Sequence, residues 1–106
     1  MDNWNNKKTE DMFRVILSLK NLDEARKFFR DLLTEKEIIE FSKRWQAAKM
    51  LSRKESYIEV VEKTGLSSRT VARVSDWLNR GMGGYRLALK RLANHHNPKP
   101  FGKGLS

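Results

Sequence analysis

Apolar residues recur along this chain at intervals of three and four, with polar positions between them, and this period predicts helices throughout. Met12, Phe13, Ile16, Leu17 and Leu19 make one face over about residues 9 to 20, and Leu22, Ala25, Phe29 and Leu32 make the stripe of a second helix. A third helix, from about 35 to 53, carries Ile38, Phe41, Trp45, Ala48 and Leu51 on one face, broadened by Ile39, Ala47 and Met50. So wide a face needs partners on more than one side. Three capping boxes mark helix starts: Asn21-x-x-Glu24, Thr34-x-x-Glu37 and Ser56-x-x-Glu59. The stretch ESYIEVVEKTGLSSRTVARVSDWL, Glu55 to Leu78, then reads as two short helices joined at Thr64-Gly65. The glycine-rich GMGG, Gly81 to Gly84, ends the second of them, and YRLALKRLA begins a last short amphipathic helix. No strand pattern is present, so the fold class is all-α.

A chain of 106 residues fits one domain with a single core. Helical patterning covers residues 1–93, whereas 94–106, NHHNPKPFGKGLS, has two prolines, two glycines and no periodicity, and is expected to be a flexible basic tail. No apolar run approaches the roughly 18 residues of a membrane span, and MDNWNNKK lacks the basic start and apolar block of a secretory signal. A cytoplasmic protein is expected. Without cysteine there is no disulfide framework and no thiolate metal site, so stability comes from packing, including packing between chains.

The net charge of +9 is unevenly placed. Residues 1 to 34 hold seven Lys/Arg against six Asp/Glu, and residues 35 to 66 repeat that balance. From Ser67 onward, Arg69, Arg73, Arg80, Arg86, Lys90, Arg91, Lys99 and Lys103 face the single acid Asp76. The excess begins where the second helix of the Glu55–Leu78 pair begins, which favours a polyanionic partner over a merely solvated face.

That pair has the chemistry of a helix-turn-helix. The turn needs a residue tolerant of positive φ, and Gly65 supplies it. Ile58 and Val61 before the turn, and Leu66, Val71, Val74 and Leu78 after it, fall at the spacing of inner contacts. The outward positions are then Ser68, Arg69, Ala72 and Ser75, behind a Ser67-Ser68 start. Arg can fork onto guanine and Ala can touch a thymine methyl, while Arg73 and Arg80 are better placed for phosphates. A plain helical hairpin is the competing reading.

The runs LLTEKEIIEFSKRWQAAKML and KTGLSSRTVARVSDWLNRGMGGYRLAL resemble the Trp repressor superfamily, most closely its YerC/YecD-type branch, over roughly positions 28 to 92. The resemblance implies a six-helix fold, interlocked with a second copy into a homodimer that binds double-stranded DNA through two recognition helices. Ser68, Arg69 and Ala72 match the family's base-facing positions, and the residues expected at DNA are Ser67, Ser68, Arg69, Thr70, Ala72, Arg73 and Arg80. Leu33, Thr34 and Arg44 fall on the long-helix side of the family's corepressor pocket, and Thr70 and Arg73 on the recognition-helix side. Where the tryptophan-responsive repressor has a glycine and a serine, this chain has Val74 and Trp77. The pocket is expected to be altered or vestigial, with Trp77 either filling it from within the chain or serving as an ordinary core residue. No tryptophan corepressor or other cofactor is expected. Val61 stands where that repressor turns a lysine toward DNA, so the operator should differ.

Other classes have less support. His95-His96 lacks metal-site spacing, no nucleophile or phosphate loop with sheet support precedes a helix, and neither an enzyme nor a metal site is expected. GMGG is read as a turn between helices rather than an anion nest. The alternative to DNA reading is a basic helical protein that binds RNA or a partner protein. Phe101, in the tail, would be its partner anchor if it had one.

Overall fold

The computed structural model describes residues 3–96, with side chains to residue 94. Its described elements are helices only: α1 Lys7–Ser18, α2 Leu22–Leu32, α3 Glu35–Ser52, α4 Tyr57–Thr64, α5 Ser68–Arg80 and α6 Gly84–His96. The chain divides between Ile39 and Glu40 into two compact units.

In the first unit the helix starts are set locally. Thr34 Oγ1 accepts from the Glu37 N–H at 3.1 Å while the Thr34 N–H donates to Glu37 at 2.9 Å, a reciprocal box that opens α3. Asn21 accepts from the Glu24 N–H at 2.9 Å, but the Glu24 carboxylate reaches one residue further back than expected, to the Lys20 N–H at 3.0 Å. A fourth box, Asn6 with Thr9, opens α1 at Lys7 rather than near residue 9. Threonine there takes the role of the glutamate that the sequence pattern sought. These caps satisfy N–H groups that a helix start would otherwise leave without partners.

This unit has helices but no interior. Neither α1 nor α2 buries a single residue. Met12, Ile16, Leu19, Ala25, Phe28 and Phe29 are half-buried, while Phe13, Leu22, Leu32 and Ile39 are exposed and Leu17 is 83% exposed.

The second unit has a core. Ala47, Ala48, Met50 and Leu51 of α3, Val60 of α4, Leu66, and Val71, Val74 and Leu78 of α5 are buried together, with Trp45, Val61, Tyr85 and Leu89 packed at its edge. Trp45 and Tyr85 stack with centroids 6.4 Å apart and planes 20° apart. Burial pushes the Tyr85 phenol above its ordinary range, against the pull of the Arg44 charge. One expected inner contact is wrong: Ile58 is 73% exposed, and Val60 takes its place, fully buried. An eight-residue helix with apolar residues at 57, 58, 60 and 61 admits two stripes, and packing against α5 selects the one through Val60, Val61 and Thr64.

The helix α6 runs through His96 and so takes in the first three residues of the expected tail. The rest of that tail, Phe101 included, and the His95 and His96 side chains lie outside the described residues.

Candidate nucleic-acid interface

The turn between α4 and α5 is built as its residue types require. Thr64 Oγ1 donates to the Val60 carbonyl at 2.6 Å and accepts from the Leu66 N–H at 3.2 Å. Gly65 closes α4 in the left-handed region, φ 77° and ψ 6°, its N–H bonded to the Val61 carbonyl at 2.9 Å. Leu66 then turns into the core. Ser67 caps α5: its Oγ accepts from the Thr70 N–H at 3.1 Å and donates to Thr70 Oγ1 at 3.0 Å.

This cap and the buried stripe Val71–Val74–Leu78 fix the rotation of α5, and so decide what faces out. Ser68, Arg69, Ala72 and Arg73 are exposed, Ser75 and Thr70 half-buried. Arg69, Ala72, Arg73, Trp77 and Arg80, together with Tyr57 from the first turn of α4, line an open cleft of about 690 Å³. Arg80 is paired with Asp76, one turn back on the same helix. Among the described residues Arg69 and Arg73 make no ion pair, so their guanidiniums keep their full donor sets for a ligand.

The helix starts are electrostatically unequal. Glu10 in α1, Asp23 and Glu24 in α2, Glu35 and Glu37 in α3, and Glu59 in α4 each place a carboxylate in a first turn. The first turns of α5 and α6 contain none. The positive end of the α5 dipole is therefore not offset from within the helix, and Arg69 adds to it.

Tyr57 was not singled out from the sequence. A tyrosine directly after a cap serine reads as the first residue of an inner stripe, and only the exposure of the α4 start shows that it belongs to the cleft.

The residues assigned by resemblance to a corepressor pocket divide between the two units. Leu33 ends α2 and Thr34 caps α3 in the first; Arg44, Thr70, Arg73, Val74 and Trp77 lie in the second. Val74 is fully buried in the core. Trp77 is 45% exposed and lines the open cleft of the second unit. The Arg44 guanidinium is engaged elsewhere, donating to Glu40 at 3.4 Å and lying over the Phe41 ring at 5.7 Å. Val74 occupies the inward side of α5, while Trp77 lines the open cleft. Among the described residues no group of His, Asp or Glu is arranged to hold a metal ion, and no helix is long and apolar enough to cross a membrane.

Comparison with known proteins agrees with this geometry. The family model described as Trp repressor protein matches residues 7–93. A protein of Bacillus subtilis (strain 168), YerC, described as uncharacterized, is 38% identical over 92 residues, which is 87% of this chain and 88% of that protein. The crystal structure of a TrpR-like protein from Eubacterium eligens superposes with a TM-score of 0.81 at 43% identity, covering 85% of this chain and 93% of that one. That of a putative Trp repressor from Staphylococcus aureus gives 0.79 at 34% identity, covering 84% and 89%. With its helix order, its turn at Gly65 and these matches along most of its length, the chain belongs to the Trp repressor family.

Proposed function

We propose that this protein is a sequence-specific, double-stranded DNA-binding transcriptional regulator, a repressor, acting as a homodimer in the cytoplasm. The observation that carries the reading is the outer face of α5, where exposed Ser68, Arg69, Ala72 and Arg73 stand over a buried stripe and behind an acid-free helix start. A major groove admits such a helix, and Arg69 has the free donors to fork onto a guanine. Support for the dimer comes from the first unit: α1 and α2 have amphipathic sequences yet bury nothing, and a second copy of the chain is the cover that family membership suggests. In a dimer the two α5 helices would engage successive turns of an approximate palindrome, roughly 34 Å apart.

Binding should need no tryptophan. Support comes from Val74 and Trp77, two large side chains that stand where the tryptophan-responsive repressor has a glycine and a serine, and a ligand shifts the active state only by binding it better than the inactive one. Titrating L-tryptophan into a DNA-binding assay is expected to leave affinity unchanged; a large saturable gain would overturn that part of the reading.

The reading of bases is tested at Arg69. Arg69→Ala should cost about 1–3 kcal/mol on a selected operator and relax its base preference, whereas Arg80→Ala, which also removes the Asp76 pair, should weaken all duplexes alike. Equal losses on operator and random DNA for Arg69→Ala would remove it from base reading. A second reading has one observation in its favour. Tyr57 and Trp77, 47% and 45% exposed on the basic cleft, are aromatics on which unpaired RNA bases could stack. Competition by single-stranded RNA stronger than by duplex DNA would select it.

A further inference from the structure

A second cleft of about 450 Å³ lies beside the α5 face, and Tyr57, Ser75 and Asn79 line both. Its floor is leucine from α3, α5 and α6; its rim is polar and includes Lys54, Asn79 and Arg86. The two cations come from outside the helix-turn-helix, Lys54 from the turn after α3 and Arg86 from the first turns of α6.

Lys54 holds a position that favours glycine. The Glu55 N–H bonds back to the Met50 carbonyl at 3.2 Å and the Lys54 N–H to the Leu51 carbonyl at 3.0 Å, the two bonds of a Schellman ending, and the residue between them is left-handed. Its φ is 68°, and it is the only non-glycine residue with positive φ among the described residues. A side chain there costs backbone strain that glycine would not. What the lysine adds is a charge at the rim of the cleft.

Arg86 is held in place without being neutralised. Its Nη2 donates to Asn79 Oδ1 at 2.9 Å, and Asn79 Nδ2 donates in turn to the Ser75 carbonyl at 2.9 Å, so a neutral amide ties the guanidinium to α5. Among the described residues neither Lys54 nor Arg86 makes an ion pair. The acid on this rim, Glu55, is already taken: Arg53 and Lys63 reach it at 3.1 and 3.3 Å from either side. The cleft therefore presents two uncompensated cations and hydrogen-bonding groups on a surface continuous with the α5 face.

We propose that this cleft is a phosphate clamp for the duplex flanking the bases read by α5, with Lys54 and Arg86 as the contacting cations and Asn79 as the positioning residue. The inference rests on the DNA-binding reading and extends its footprint beyond the helix-turn-helix. Phosphate contacts set register and affinity without reading sequence, so the clamp acts equally on every duplex.

The test is the salt dependence of binding to a selected operator and to random duplex, for wild type, Lys54→Gly, Arg86→Gln and Arg86→Lys, with thermal unfolding of each. Removing one cation from a phosphate flattens the slope of log K against log salt by about 0.9, hence by about twice that when both protomers of a dimer carry the change. Affinity at 0.1 M salt should fall by roughly one to two orders of magnitude on both duplexes, on the same counterion argument. Arg86→Lys should recover part of the loss. Lys54→Gly should bind less well while melting no lower than wild type, because it relieves the left-handed strain; a residue kept only for folding would do neither. Operator binding by wild type with unaltered slopes in Lys54→Gly and Arg86→Gln overturns the clamp alone. Failure of wild type to bind any duplex overturns the DNA reading and the clamp with it.

Discussion

Three glycines and one glutamate show how much depends on single positions in the second unit. Gly65 has room for a methyl group, with only Lys43 Nζ at 3.8 Å, so Gly65→Ala tests conformation alone: φ 77° should cost about 1 kcal/mol by urea unfolding at fixed protein concentration. Gly81 is the reverse case. Its φ is −81°, open to any residue, but a Cβ there would be driven into the Trp77 carbonyl, the acceptor of the Gly81 N–H. Gly81→Ala is expected to cost about 1–3 kcal/mol through that overlap. Gly84, with open space around it and a negative φ at the start of α6, should accept alanine with a gain of a few tenths to about 1 kcal/mol. Equal effects at the three positions would contradict the geometry. Glu55 carries a pH dependence. Partial desolvation would raise its pKa, but hydrogen bonds and charge from Arg53 and Lys63 outweigh it and hold the carboxyl below the ordinary value of 4.5. A depressed carboxylate stabilises the fold above its unfolded pKa and loses that contribution as pH falls through the folded value. Stability should therefore decline on acidification below about 4.5, and Glu55→Gln should flatten that limb, as read by thermal melts from pH 6 to 3.

At the scale of elements, helix starts were far more legible than helix faces. Caps are local: a serine or threonine three residues before a glutamate announces itself, and the boxes at Thr34 and Ser56 form as their spacing predicts. Asn6–Thr9 escaped because its N3 residue is threonine. Faces depend on a neighbour, and in α4, with four apolar residues in its first five, periodicity alone could not choose between Ile58 and Val60. The candidate interface divides in the same way. Its α5 residues were legible because a long amphipathic helix has one inner stripe, and that stripe names the outer face. Tyr57, Lys54 and Asn79 were not, since each enters through tertiary packing or through a left-handed turn that no glycine signals. One element can be tested by its cap. Ser67→Ala removes the bonds to Thr70 and should cost about 1 kcal/mol, fraying the end of α5 that carries the proposed interface, and on that proposal weakening operator binding more than stability. Unchanged binding in a variant with the expected loss of stability would separate the cap from the interface.

For the whole molecule, the contrast between a second unit with nine buried apolar residues and helices α1 and α2 with none is decisive. Helices of 12 and 11 residues are marginal on their own in water, and the proposed homodimer would supply the cover that orders them. Sedimentation at micromolar concentration is expected to give a dimer; a monomer that still unfolds cooperatively, α1 and α2 included, would refute this. Leu17→Glu, on the most exposed apolar position of α1, should shift the equilibrium toward monomer and leave the α4–α5 core folded. The incompletely covered apolar faces of α1 and α2 also bear, on the proposed homodimer, on abundance in the cell. A chain that completes its fold only on meeting a copy of itself stays open to proteolysis while it is scarce, and becomes protected as its concentration passes the dimer dissociation constant. Synthesis would then be read nonlinearly: low transcription yields chains that are cleared, and a modest rise yields a persistent pool able to occupy DNA. On the proposed homodimer, the protein's own dosage would set the threshold for its activity.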